Sequence, residues 1–206
     1  MTGAAPGYRD GRDLLRREGP LKLDLGCGAT KRDASYVGVD VLDAPGVDVV
    51  GDAIDVLRAL PEERVEEIYS SHFLEHVEDL PSLVREVERV LVVGGRFAGA
   101  VPHFSNPYYH SDPTHRRPFG LYTWSYLAED PLLRRRVPTY GRDLRLRVER
   151  LELCFRSATE FPVRSRSKQA LGRLLGRGRA IQEFYEENLS WLIPCYEVRF
   201  ELRKVR

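Results

Sequence analysis

Three of the five histidines in this chain, His103, His110 and His115, lie in one segment rich in prolines and aromatic residues, 103–126, here called the lid. Histidine changes its charge near neutral pH, so it suits removal of a proton from a reacting group. We interpret His110 and His115 as candidate general bases and His103 as a reserve. Two alternatives stay open: His110, Asp112 and His115 surround a metal ion, or the histidines only fix the loop by hydrogen bonds.

The lid could also enclose a substrate. Prolines stiffen a loop, and aromatic rings exclude water from a pocket. Tyr108, Tyr109 and Trp124 are predicted to form the pocket wall, and Asp112 is placed to orient a neighbouring imidazole. Arg116 follows the last lid histidine and is expected to favour a substrate with negative charge.

An element that could position the lid lies nearer the N-terminus. Leucines alternate with polar residues in Leu21–Leu25, as in a buried strand, and Gly26 and Gly28 then permit a tight turn. Turns at the carboxyl ends of parallel strands are where open α/β sheets bind nucleotides. A second β-rich run, 36–39, ends at Asp40, whose carboxylate could accept hydrogen bonds from two ribose hydroxyls. We interpret this stretch as a cofactor site.

Four motifs follow one another along the chain: Asp24-x-Gly26-x-Gly28, Asp40, Gly51-Asp52 and the run from Ser70 to His76. In this order they resemble the class I S-adenosylmethionine-dependent methyltransferases, over residues 21–102. The resemblance implies S-adenosyl-L-methionine as the cofactor, with the acid at position 52 reaching the adenine amino group. The cofactor-binding residues that it implies are Gly26, Cys27, Gly28, Asp40, Val41, Asp52, Ala53, Ser71 and His72.

The activity implied by the resemblance is methyl transfer to an oxygen or nitrogen of a small-molecule acceptor. A lid histidine would take the proton, and we expect no metal to be required. Residues 1–100 carry 12 basic against 19 acidic side chains, net −7, and residues 101–206 carry 20 against 12, net +8, which favours an anionic acceptor. Two alternatives remain: a cofactor-binding or scaffold protein without turnover, or an enzyme acting on RNA or protein. We expect no nucleic-acid partner, because no RNA-binding module is recognisable.

The predicted fold is α/β, a Rossmann-like seven-stranded methyltransferase sheet. Thr30 stands where the family often has a third glycine, and so few residues join the first two strands that the first crossover should be shortened. A helical insertion, 157–192, is predicted before the last strand, either as a cap over the substrate pocket or as a homodimer contact. Strands are predicted over 21–25, 36–39, 47–50, 65–70, 96–101, 144–155 (irregular near Glu149 and Arg150) and 196–205, and helices over 54–60 and 80–91.

Length and composition favour one domain, 1–206, with an N-terminal extension over 1–18. Within this extension, residues 1–7 are expected to be disordered and 9–18 to form a short helix. Three widely spaced cysteines predict neither a disulfide framework nor a zinc knuckle, so a reducing cytoplasm is the expected location. No apolar run approaches the roughly 18 residues needed to cross a bilayer, so we expect no membrane partner.

Overall fold

The computed structural model describes residues 12–15, 18–140, 143, 145–158, 160–176 and 178–206. The disorder predicted for 1–7 lies outside these residues. So does much of the helix predicted over 9–18, of which Arg12–Leu15 is helical and is called α1. Within the described ranges, no helix is both long and apolar enough to span a membrane.

The described residues form a seven-stranded sheet in the order β3-β2-β1-β4-β5-β7-β6. The strands are β1 Leu21–Leu25, β2 Val37–Asp40, β3 Val49–Val50, β4 Val65–Ser71, β5 Leu91–Pro102, β6 Leu146–Cys154 and β7 Glu197–Lys204. Strands β1 to β5 pair in parallel, and β7 runs antiparallel between β5 and β6. The predicted Rossmann-like sheet is confirmed.

The remaining helices are α2 Ala53–Arg58, α3 Leu80–Val90, α4 Pro162–Leu175 and α5 Arg179–Asn188. Asp79 caps α3, because its carboxylate accepts a hydrogen bond from Ser82 N at 2.9 Å. Leu83, Val84 and Val87 lie on one face of α3 and are completely buried. Burial of each such side chain contributes roughly 1.5–3 kcal/mol, so this face fixes α3 to the sheet.

Several element bounds differ from the sequence-based predictions. The first crossover is indeed short, since 26–36 contains turns and no helix. Strand β3 covers only Val49–Val50 of the predicted 47–50. Strand β5 begins at Leu91 rather than at 96, because Gly94 adopts a positive φ of 82° and the register shifts there, so that the glycine pair forms a bulge within the strand. The irregularity predicted in β6 is a register shift between Val148 and Arg150.

The two faces of the sheet differ in polarity. One face carries the buried apolar side chains of the core, among them Leu23, Ile68 and Phe97. The opposite face carries a cross-strand ladder of ion pairs whose N–O distances are 3.7 Å for Lys22–Glu67, 3.0 Å for Arg96–Glu67 and 3.2 Å for Arg96–Glu201. Alternation of side chains along each strand therefore leaves a charged face beside the first turn.

The predicted helical insertion precedes β7 and packs against the lid through α5. Glu186 Oε2 accepts a hydrogen bond from Leu121 N at 2.7 Å, and Tyr122 donates its hydroxyl to Glu183 Oε1 at 2.6 Å. The hydroxyl of Tyr185, a completely buried side chain, donates to Ile193 O at 2.6 Å. These hydrogen bonds attach α5 to the lid.

Candidate functional site

The turn after β1 has a backbone shape that requires glycine. Gly26 and Gly28 have φ values of +68° and +56°, in the left-handed region. A Cβ atom added to Gly26 would also lie 2.4 Å from the Phe73 side chain. Gly26 therefore makes room for Phe73, whereas the space beside Gly28 is open, with no atom within 4 Å of an added Cβ.

Asp40 ties the end of β2 to this turn. Its Oδ2 accepts a hydrogen bond from Gly28 N and its Oδ1 accepts one from Leu42 N, both at 2.9 Å. A carboxylate oxygen has two lone pairs, so each oxygen can still accept a ribose hydroxyl. The predicted role of Asp40 is compatible with this geometry, which holds the carboxylate in place before any ligand binds.

A cavity of about 400 Å³ opens beside the turn. Its lining residues are Asp24, Gly26, Cys27, Thr30, Arg32, Tyr69 and Ser71. Burial raises the pKa of Asp24 to about 6, and its carboxylate accepts a hydrogen bond from Arg32 N at 2.7 Å. Burial, reinforced by Asp24 and Asp40, also raises the pKa of Cys27 to about 12, so this thiol is not a nucleophile at neutral pH. The charged side chains of this cavity are thus one buried carboxylate, that of Asp24, and one guanidinium, that of Arg32.

The remaining predicted cofactor residues lie at the ends of β2, β3 and β4. Val41 is exposed, whereas Ala53 is buried at the start of α2. Asp52 is exposed and caps α2 by accepting from Ile54 N at 2.8 Å and Asp55 N at 3.2 Å. This leaves the second carboxylate oxygen of Asp52 outside the cap.

His72 follows Ser71 at the end of β4 and has the strained φ of +54°. Its Nε2 lies 3.2 Å from Glu197 Oε2, and its Nδ1 lies 3.5 Å from Glu75 Oε1. Hydrogen bonds to Glu197 and Glu75 raise the pKa of His72 to about 9. The imidazole is therefore a cation at neutral pH, able to donate hydrogen bonds but not to remove a proton.

Glu197 joins His72 to a group of arginines. Its carboxylate lies 2.7 Å from Arg156 Nη2 and 2.9 Å from Arg199 Nη2. Although burial opposes ionisation, the hydrogen bond from His72 and the charges of both arginines lower the pKa of Glu197 to about 2. This buried carboxylate, at the start of β7, pairs with three cationic side chains.

A second cavity, of about 280 Å³, lies between the lid and α4 and is here called the basic cavity. Its charged lining residues are Arg156, Arg164 and Lys168, with no carboxylate among the lining residues. The Arg156 guanidinium lies 4.3 Å from the centroid of the Tyr196 ring, and the Tyr108 and Tyr196 rings lie 6.4 Å apart. Aromatic walls and the positive charges of Arg164 and Lys168, in addition to Arg156, which is paired with Glu197, make this cavity suited to a small anionic group.

A third cavity, of about 330 Å³, lies over the charged face of the sheet. It shares Arg32, Tyr69 and Ser71 with the cavity beside the turn and Arg156 with the basic cavity. The three cavities are therefore neighbours on one surface of the protein.

The lid residues predicted from sequence do not all lie at this surface. Tyr108 lines the basic cavity. Tyr109 is buried and stacks on His115, with ring centroids 4.9 Å apart. His110 is exposed, and its Nε2 lies 3.0 Å from Phe104 O. Because a carbonyl oxygen can only accept, Nε2 donates this hydrogen bond.

Asp112 and Arg116 are both exposed. Asp112 accepts hydrogen bonds from Thr114, which lower the pKa of its carboxyl. Its Oδ2 lies 3.7 Å from His115 Nε2, so it does neighbour an imidazole. Arg116 binds the post-β4 segment through its backbone, donating to Glu75 O at 2.8 Å. Neither residue lines the basic cavity.

Two predicted site residues are buried in the interior instead. Trp124 is completely buried, with ring centroids 4.1 Å from Phe200 and 5.8 Å from Phe97, so its prediction as pocket wall is wrong. The lid turns back after residue 120 to cover the apolar face of the sheet, and a large aromatic side chain fills that space.

His103 is also completely buried and supports the lid rather than facing a cavity. Its Nδ1 lies 2.7 Å from Ser105 Oγ, and its Nε2 lies 3.3 Å from Glu186 Oε2. Both ring nitrogens are thus occupied within the protein, which corresponds to the loop-fixing alternative and not to the reserve base.

Several residues of this surface were missed by sequence reasoning. Arg156 follows β6, Arg164 and Lys168 lie on α4, and Tyr196 directly precedes β7, so all four are far from the lid in sequence. The surplus of positive charge in the second half of the chain indicated an anion but could not select these side chains. Asp24 was visible as part of the first motif, although no role was assigned to it.

Comparison with known proteins agrees with this geometry. Residues 23–99 match the family model of the methyltransferase domain. No curated protein sequence is significantly similar to the chain. The fold is similar to that of an S-adenosylmethionine-dependent methyltransferase from Archaeoglobus fulgidus, with 20% identity, a TM-score of 0.58, and coverage of 96% of this chain and 95% of that chain.

Two further solved structures of similar fold contain ligands. Phosphoethanolamine N-methyltransferase 2 from Haemonchus contortus, in complex with phosphomonomethylethanolamine and S-adenosylhomocysteine, is 16% identical, with a TM-score of 0.54 and coverage of 97% of this chain and 54% of that chain. Geranyl diphosphate C-methyltransferase from Streptomyces coelicolor, in complex with Mg²⁺, geranyl diphosphate and S-adenosylhomocysteine, is 16% identical, with a TM-score of 0.52 and coverage of 95% and 77%. The domain match over residues 23–99 identifies a methyltransferase domain that uses S-adenosyl-L-methionine as its cofactor, and the whole chain shares the fold of the S-adenosylmethionine-dependent methyltransferases.

Proposed function

We propose that this methyltransferase transfers a methyl group to an oxygen or nitrogen of a small molecule that carries a carboxylate or phosphate group. The observation that carries the proposal is the basic cavity, whose charged lining residues, Arg156, Arg164 and Lys168, are all cationic. Its volume of about 280 Å³ suits a small anionic group better than a folded macromolecule.

The cofactor supplies an activated methyl group on a sulfonium, and the protein has to align the acceptor with it. Gly28 leaves space at the turn, and Asp40 is fixed to accept the ribose hydroxyls. The buried carboxylate of Asp24 lines the cavity beside the turn and would attract the cationic tail. Such alignment lowers the barrier chiefly by removing the entropy of encounter.

On the acceptor side, the positive charge is held in a fixed arrangement. Arg156 and His72 share the Glu197 carboxylate, so neither side chain is free to swing into solvent. Tyr196 stands between them, with its ring 4.3 Å from the Arg156 guanidinium and 6.3 Å from the His72 ring. An anion bound at Arg164 and Lys168 would therefore place the rest of the acceptor near the end of β4.

The proton acceptor is a separate part of the proposal, and His115 fits it better than His110. His115 Nδ1 lies 2.9 Å from Tyr109 O, so it carries the proton and Nε2 has a free lone pair. In His110 it is Nε2 that donates, to Phe104 O, and the ring is exposed. If the acceptor atom is itself an anionic oxygen, no base is needed.

The test is a panel of acceptors assayed for transfer of a labelled methyl group, in which each anionic compound is paired with its neutral ester or amide. We expect turnover only of anionic members. Arg164→Ala and Lys168→Ala should each raise KM for them at least tenfold, because a charge-assisted hydrogen bond contributes about 1.5–3 kcal/mol. Arg166→Ala, an exposed arginine of the same helix that does not line the cavity, is the matched control. Turnover of the neutral compounds alone would overturn the proposal.

A further inference from the structure

Three side chains converge beside the lid, outside the basic cavity: Glu75, His76 and His115. Glu75 and His76 belong to the 3₁₀ helix Leu74–His76 that follows β4, and His115 belongs to the lid. One potential ligand atom from each side chain lies within 4.8 Å of the other two. The sheet and the lid therefore meet at two imidazoles and a carboxylate.

The hydrogen bonds of His115 fix which of its nitrogens is free. Its Nδ1 lies 2.9 Å from Tyr109 O, and a carbonyl can only accept. Nδ1 therefore carries the hydrogen in the neutral ring, and the lone pair is on Nε2. That Nε2 lies 4.0 Å from Glu75 Oε1, so it points into the cluster.

His76 has the same tautomer for a different reason. Its Nδ1 lies 2.9 Å from Thr114 Oγ1, and that hydroxyl lies 2.6 Å from Asp112 Oδ1. Thr114 has one hydroxyl hydrogen, which the ionised Asp112 must accept, so His76 Nδ1 donates to Thr114. The lone pair of His76 is thus on Nε2 as well. Imidazoles held by a hydrogen bond at one nitrogen and free at the other are the usual arrangement around protein-bound metals.

Glu75 supplies the carboxylate, and one of its two oxygens is available to a ligand. The residue is 1% exposed, yet its Oε2 has no hydrogen-bond partner among the described residues. Its Oε1 is shared between His72 Nδ1 at 3.5 Å and His115 Nε2 at 4.0 Å. A buried carboxylate oxygen without a partner is unfavourable unless a ligand completes it.

We propose that Glu75, His76 and His115 bind a divalent transition metal ion of the zinc class, which fastens the lid to the end of β4. Two imidazoles and one carboxylate are a donor set suited to such ions, whereas Mg²⁺ and Ca²⁺ prefer oxygen donors. Donors at about 2.0–2.2 Å from a tetrahedral ion lie about 3.4 Å apart, so the cluster has to contract by about an ångström. Asp112 Oδ2 lies 3.7 Å from His115 Nε2, outside this group of three ligands.

This set differs from the one that sequence spacing suggested. His110 is excluded, because its Nε2 donates to Phe104 O and its ring is exposed. His76 and Glu75 take its place through tertiary contact. A bound metal would occupy the lone pair of His115 that a general base needs, so His115 can act as the proposed base only in the metal-free protein.

The experiment is a titration of the full-length protein, first dialysed against a chelator and without cofactor, with Zn²⁺ by calorimetry and with Co²⁺ by visible absorption. We expect one equivalent to bind, with the Co²⁺ bands of a four- or five-coordinate site. His76→Gln and His115→Gln should each weaken binding at least tenfold. Thr114→Ala, which keeps all three ligands but removes the partner of His76 Nδ1, should weaken it by about 10- to 100-fold. His110→Gln is the control and should bind as the wild type does.

Two results would overturn the proposal: absence of saturable Zn²⁺ and Co²⁺ binding by the wild type, or binding that persists unchanged in His76→Gln and His115→Gln. Circular dichroism shows whether each variant is folded. If a histidine variant is unfolded, Thr114→Ala still tests the site, because it keeps all three ligands. Because the titration contains neither cofactor nor acceptor, its outcome is independent of whether the proposed acceptor class is right.

Discussion

The predicted cofactor turn and the proposed acceptor side of this enzyme are built in different ways. The turn consists of the backbone of Gly26 and Gly28, in the left-handed region, and one carboxylate, that of Asp40. The proposed acceptor side consists of side chains from the post-β4 segment, the lid, α4 and the residues next to β6 and β7, and Glu197 pairs with two of them, His72 and Arg156.

This difference predicts that the turn tolerates few substitutions, whereas the ligand preference of the proposed acceptor side can change. A turn defined by backbone dihedrals accepts few changes, since almost any side chain at Gly26 would collide with Phe73. A cavity lined by long cationic side chains can change its ligand by single substitutions. The charge of Arg164 or Lys168 can be removed without disturbing the sheet, because both lie on α4 at the surface of the fold.

The largest expected effect is on kcat and concerns His115, the proposed general base of the lid. In metal-free buffer, His115→Ala should lower kcat by about 10²- to 10⁴-fold and leave cofactor affinity nearly unchanged, because only the proton acceptor is lost. His110→Ala should change kcat little. Steady-state kinetics with saturating substrates measures both. Should both variants keep more than about a third of the wild-type kcat, the lid only positions the acceptor and proximity alone accounts for catalysis.

A smaller effect is expected at the turn. Asp40→Ala removes a carboxylate that would accept two charge-assisted hydrogen bonds, each contributing roughly 1.5–3 kcal/mol before water competes, so affinity for S-adenosylhomocysteine should fall at least tenfold. Calorimetry measures this, with Asp43→Ala, an exposed acid in the following loop, as the control. A variant at position 40 that titrates like the wild type would show that the ribose is not bound there.

The smallest effect concerns the stability of the acceptor side. The pKa of His72 is raised from 6.5 to about 9 in the folded protein. The stability that His72 contributes to the fold is therefore complete below pH 6.5 and is lost as the pH rises through 9. The pKa of Glu197 is lowered to about 2, so its contribution is present above 4.5 and is lost as pH falls through 2. The pair should therefore stabilise the fold most between pH 4.5 and 6.5.

Glu197→Gln tests this assignment by thermal unfolding across pH. Removing the shared carboxylate leaves His72, Arg156 and Arg199 in mutual repulsion. Since these cations are partly exposed, we expect a loss of about 2 kcal/mol near pH 6, or roughly 4–8 °C in Tm. The loss should shrink towards pH 9.5, where His72 is neutral in the folded wild type. A difference in Tm that stays constant from pH 5 to pH 9.5 would contradict the pairing of His72 with Glu197.

The sequence by itself determined the parts of this protein that depend on local pattern. The glycine turn, the alternation in β1, the apolar stripe of α3 and even the irregularity in β6 were predictable, because each depends on residues close together in the chain. The same holds for the shortened first crossover, which follows from the number of residues available between β1 and β2.

Tertiary structure alone decided which side chains meet. Nothing near Arg156 in sequence indicates Tyr108, and nothing near His115 indicates Glu75, because those contacts arise where β6, the lid and the end of β4 come together. It also decided burial: Trp124 and His103 look like pocket residues in sequence, yet both lie in the interior. Polar and aromatic side chains serve in sites and in cores alike, and only the three-dimensional packing around them separates the two.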